Sequence, residues 1–182
     1  STASDVSLFA PVTATAGSMT ATAFDAINSN KLLTAGTDVA LTANGVLTTS
    51  GGIDAGNDVT LTSTGANVTV SGSVAAGNDV SVDADTSLLV SQTVTAHQNV
   101  TFISGTGTTL TAAIEATNGD LSITAGTSLT ANRMLTAGQD ILVVAGTTVN
   151  ISGDVDAGRD LFVTATAQSV SLSGTTDAAG NA

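Results

Sequence analysis

Ala55 to Val74 reads AGNDVTLTSTGANVTVSGSV, and its parts recur down most of the chain. An acidic or amide residue marks the register: Asp38, Asp58, Asp79, Asn99, Asp120, Asp140 and Asp160 fall 20, 21, 20, 21, 20 and 20 residues apart. Ahead of the mark sits a small-residue turn such as Ala55-Gly56, Ala76-Gly77 or Ala137-Gly138. Behind it runs an alternating apolar pair, as in Val59/Leu61, Val80/Val82, Val100/Phe102, Leu121/Ile123, Ile141/Val143 and Leu161/Val163. A second pair follows, clearest at Val68/Val70, Leu88/Val90, Val149/Ile151 and Val170/Leu172, and Ile53, Val74, Val94, Ile114, Leu135 and Val155 form a third apolar column.

Period-two alternation over four or five residues, bounded by Gly, Asn and Asp, marks short strands with one buried face. Three such strands in about 20 residues cannot bury that face alone, but stacked on copies of themselves they enclose one continuous core. The fold class expected is therefore all-β: a three-sided parallel β-helix, or solenoid, of about 20 residues per coil and seven to eight coils. No apolar spacing of three and four residues persists, so helices are excluded, and a propeller blade needs roughly twice this repeat length.

The pattern AGxDVxLxA…GxVxVSGxVxAGxD, carried by roughly Lys31 to Asn181, resembles the haemagglutinin-type repeats of the filamentous haemagglutinin family. Members of that family are large bacterial exoproteins exported by two-partner secretion, among them adhesins and contact-dependent inhibition toxins. The resemblance implies a right-handed β-helix and passage through an outer-membrane transporter. It also implies a secreted or cell-surface location on a Gram-negative-type bacterium, and a shaft role for the repeats.

Three Lys plus Arg stand against fifteen Asp plus Glu, a formal charge of −12. Nucleic acid and anionic membrane both need a basic footprint and are not expected as partners. Without cysteine, the stacked core has to supply the stability that disulfides give many secreted domains. No apolar run approaches about 18 residues, so membrane insertion through a helix is not expected either.

Residues 1–34 fit the repeat poorly. Asp5-Val6-Ser7-Leu8 matches a strand, Ala16-Gly17-Ser18-Met19 is a turn without its Asp, and Pro11 suits a bend or edge. Irregular first coils or a lateral excursion are expected there, with regular repeats over 35–182 that continue beyond both ends in the native chain. Asp177 to Ala182 aligns with the turn at Ala75 to Asp79, where the next mark is due. Uncapped ends of this kind fit a segment of a longer solenoid, or a unit whose copies stack end to end.

Asp38, Asp58, Asp79, Asp120, Asp140 and Asp160 would stack about 4.8 Å apart. Calcium bridging is the sharper reading. An Asx-turn role, each carboxylate accepting N–H groups of its own turn, is preferred because calcium wants six to eight oxygens. No cofactor is expected. Catalysis has little to work with: His97 is the only histidine and occupies a glycine position, while Asp83 and Asp85 share a strand face with no basic partner. Asp154 and Asp156 repeat that spacing and read as solvation. The sequons at Asn67, Asn99 and Asn150 arise from the repeat itself, and the Thr60/Thr62 rung of an ice-binding ladder is not sustained by neighbouring coils.

One departure stands out. With Ile141/Val143 and Leu161/Val163 pointing inward, Leu142, Val144 and Phe162 must point out, where other coils carry Thr, Ser or Ala. They are the candidate contact patch. The function expected is a non-enzymatic shaft segment of a large adhesin-type exoprotein that projects a functional domain from the cell. The alternatives are a self-assembling fibre subunit, or a segment that itself adheres to a receptor on a host or neighbouring cell.

Overall fold

The computed structural model describes residues 4–180, and every regular element among them is a β-strand. A full coil lays down two short strands and one of five residues, as in Leu47–Thr49, Ile53–Ala55 and Val59–Ser63. Strands of like position stack in parallel into three sheets of nine, nine and eight strands. The molecule is a three-sided parallel β-helix. Nine stacked strands at a spacing of about 4.8 Å make a rod roughly 40 Å long.

The alternation seen in the sequence decides which side chains enter. In the third sheet Val59, Leu61 and Ser63 are buried while Thr60 is exposed and Thr62 half-buried. The register stacks Leu41, Leu61, Val82, Phe102, Ile123 and Val143 into one inward column. Phe102, fully buried, is the largest side chain in that core. Fully burying a side chain of this kind contributes roughly 1.5–3 kcal/mol, so each coil adds its own increment and stability accumulates along the rod. One defect interrupts the core: Thr49 is fully buried and its hydroxyl has no hydrogen-bond partner.

Two expectations change. Among the described residues the solenoid runs through eight three-stranded coils and two strands of a ninth, rather than seven or eight coils in all, because the stretch expected to be irregular, 1–34, is regular over its described part. Val6–Leu8 pairs with Ile27–Ser29, Val12–Ala14 with Leu33–Ala35, and Met19–Ala23 with Val39–Ala43. Ser18 stands where later coils carry Asp, and the inward positions of the third strand are Met19, Ala21 and Ala23. A missing acidic mark and the small inward Ala21, opposite Leu41, hide the repeat there without changing its geometry. At the opposite end Val170 and Leu172 occupy inward positions opposite Val149 and Ile151. They are nevertheless 42% and 39% exposed, since no described rung lies above them.

Candidate functional site

The corner before each five-residue strand carries the acidic column, and its hydrogen bonds run between coils. Oδ1 of Asp38 accepts the backbone N–H of Asp58 at 3.3 Å, and Oδ1 of Asp58 accepts that of Asp79 at 3.1 Å. Asp79 serves Asn99 at 2.9 Å, Asn99 serves Asp120 at 3.0 Å, Asp120 serves Asp140 at 3.0 Å, and Asp140 serves Asp160 at 3.1 Å. This corrects the Asx-turn expectation: the acceptor satisfies the following coil, not its own turn. Stacking brings the next coil's N–H within reach, and a short side chain that leans along the rod finds it first.

Neutral and cationic donors separate the stacked carboxylates. Nδ2 of Asn57 bridges Asp38 and Asp58 at 2.8 and 3.1 Å, and Nδ2 of Asn78 bridges Asp58 and Asp79 at 2.9 and 3.2 Å. At the equivalent place before the strand Leu161–Ala165, Arg159 grips Asp140, with Nε on Oδ1 at 2.6 Å and its terminal nitrogen on Oδ2. The amide of Asn57, then the hydroxyl of Ser18, hold the Asp38 carboxyl below its ordinary range, and the Arg159 guanidinium does the same for Asp140. The pairing raises the Arg159 pKa in turn.

Calcium bridging along Asp38, Asp58, Asp79, Asp120, Asp140 and Asp160 would compete with these bonds, since one oxygen of each of the first five already accepts an N–H. Among the described residues no three His, Cys, Asp or Glu side chains are grouped so as to hold a metal ion. Asp83 faces outward on the strand Val80–Ala84, whereas Asp85 lies beyond it in the following corner, so the two do not share a strand face as expected. Asp154 accepts the N–H and hydroxyl of Thr175 at 2.9 and 2.7 Å. His97 is exposed, with its ring and carbonyl oxygen beside the Asn118 amide. Of the sequon asparagines, Asn67 donates to Thr69 and Asn99 is held in the acidic column, while Asn150 is exposed on its strand.

Beside the column lies the outward face of the third sheet. Its first outward row runs Thr20, Ala40, Thr60, Ser81, Thr101, Ser122, Leu142, Phe162. Its second runs Thr22, Thr42, Thr62, Asp83, Ile103, Thr124, Val144, Thr164. Hydroxyls dominate the early coils and apolar groups the late ones. Leu142 and Phe162 are direct cross-strand neighbours, 42% and 52% exposed, and Val144 is half-buried in the adjoining row. The sequence-expected patch is therefore assembled as one surface. Ile103, 43% exposed in the row of Val144 and separated from it by Thr124, belongs to the same face and was missed. The same alternation already puts Ile103 outside, in the rung Thr101/Ile103, but does not by itself group it with Val144.

A shallow trough follows the boundary between column and face. One hollow of about 400 Å³ is lined by Asp79, Ser81, Asn99, Thr101, Asp120 and Ser122. A second, also about 400 Å³, shares Asp120 and Ser122 and continues to Asp140, Leu142 and Phe162. Its floor changes from hydroxyl to apolar while its wall stays acidic. No family model, curated protein or solved structure matches this chain.

Proposed function

We propose that this chain is a structural shaft segment of a large secreted or surface-displayed bacterial exoprotein of the adhesin type, holding a functional domain away from the cell. The observation that carries the reading is the acidic column: its side chains spend their acceptors on tying coil to coil, which serves length and stiffness rather than turnover. A continuous core without cysteine, a net charge of −12 and the haemagglutinin-type repeat pattern support the same role. The reading excludes chemistry by the chain itself and makes its mechanism mechanical.

The deciding experiment is the mass of the intact polypeptide in the secreted and surface fractions of the source cells. A chain many times heavier than 17.6 kDa is expected, and a native chain near 17.6 kDa would overturn the shaft reading.

A further inference from the structure

The repeat supplies its own control for the outward face of the third sheet. Each of its eight strands presents two outward positions, which point away from the core, so folding places no demand on them beyond fitting a strand. Six coils fill the first of these rows with Thr, Ser or Ala, and the last two fill it with Leu142 and Phe162. Exposing large apolar groups at neighbouring positions forgoes their burial.

Charge decides what fits. The patch opens onto the trough whose wall holds Asp120 and Asp140. Asp140 is already gripped by the guanidinium of Arg159, which shows that a cation seats on this column beside the apolar floor. Asp120 accepts the N–H of Asp140 and interacts with the Arg159 guanidinium through charge alone, so among the described residues its second oxygen accepts no hydrogen bond. A second copy of the chain is a poor occupant: apposing this face to itself would bring two acidic columns together on molecules of charge −12. Three principal side chains also fall well short of the roughly 800 Å² per partner of a stable dimer.

We propose that the Leu142–Val144–Phe162 face and the adjoining trough dock a partner polypeptide segment carrying cationic side chains beside apolar ones, the apolar groups on Leu142 and Phe162 and a cation against Asp120. This activity goes beyond the shaft role and does not depend on it.

The test titrates the whole chain with short fluorescein-labelled peptides of alternating Arg and Leu, Arg and Ser, or Glu and Leu, read by anisotropy at near-physiological salt. The Arg–Leu peptide is expected to bind, with the Arg–Ser peptide at least about tenfold weaker, a difference of about 1.4 kcal/mol, and the Glu–Leu peptide not binding. Leu142→Thr combined with Phe162→Thr places in these rows a residue other coils already carry, so the fold is retained and the Arg–Leu affinity falls by at least about tenfold. Asp120→Asn keeps an acceptor for the Asp140 N–H and weakens binding severalfold, while Asp54→Asn, an equal loss of charge on the exposed face of the second sheet, leaves it unchanged. Absence of Arg–Leu binding overturns the proposal, as does equal binding by the double variant or an Asp54→Asn effect matching that of Asp120→Asn. Self-association of the wild-type chain that the double variant abolishes would assign the face to a second copy and overturn it too.

Discussion

Oδ1 of Asp58 accepts the backbone N–H of Asp79 at 3.1 Å, one coil further along the rod. Asn99 makes the same bond to Asp120 at 3.0 Å without a charge. The column therefore needs an oxygen acceptor of this length at each coil, and the negative charge is secondary.

Asp58→Asn should accordingly leave stability within about 0.5 kcal/mol of wild type, whereas Asp58→Ala removes the acceptor and should cost about 1 kcal/mol. Urea denaturation of the three proteins measures both. Equal loss in the two variants would show that charge, not hydrogen bonding, holds the coils.

Acid should weaken the solenoid only below the ordinary carboxylate range. The carboxyl pKa values of Asp38, Asp140 and Asp154 are lowered in the fold, by the Asn57 amide, the Arg159 guanidinium and the Thr175 hydroxyl respectively. Around and below pH 4 the unfolded chain thus binds more protons than the folded one, so their stabilisation is present above about pH 3.9 and is lost as pH falls through the lower folded values. Melting temperature measured from pH 7 to strongly acidic buffer should be flat in this contribution until about pH 4 and then fall. Arg159→Gln should make the acid decline shallower by releasing Asp140.

Thr49 is fully buried with an unpartnered hydroxyl, and the next coil carries Val70 at the same register position. Thr49→Val should raise stability by about 1 kcal/mol, by removing a desolvated polar group without changing shape. A higher urea midpoint with an unchanged slope is the expected reading.

Phe102 fills the centre of the inward column between Val82 and Ile123. Phe102→Ala should cost about 3–5 kcal/mol. Because coils contact only their neighbours, the loss should also uncouple the two halves of the rod. Hydrogen exchange should accelerate most in the strands Val80–Ala84 and Leu121–Ala125 that flank the cavity.

Much of the fold was legible because one physical pattern repeats. Alternation decides which side chains face in, and a 20-residue period dictates that equivalent strands meet. The first coil escaped that reading since Ser18 replaces the acidic mark and Ala21 stands where the next two coils carry Leu41 and Leu61, while backbone pairing, which is blind to side chains, still holds Met19–Ala23 on Val39–Ala43. The outward placement of Leu142, Val144 and Phe162 was legible for the same reason as the core, being its complement. Ile103 follows from the same logic, although only the sheet register shows it in the row of Val144.

The sequence by itself determined the three-sided stack, the inward columns and the outward position of Leu142, Val144 and Phe162, because strand geometry makes all of these local consequences of alternation. Tertiary structure alone decided where each acidic side chain finds its hydrogen bond. An Asp in a corner can reach its own turn or the next, and the choice is made only when the following coil brings an N–H to about 3 Å. It also decided that the apolar patch and the acidic column border one trough, since residues some 20 positions apart become neighbours only when the coils stack.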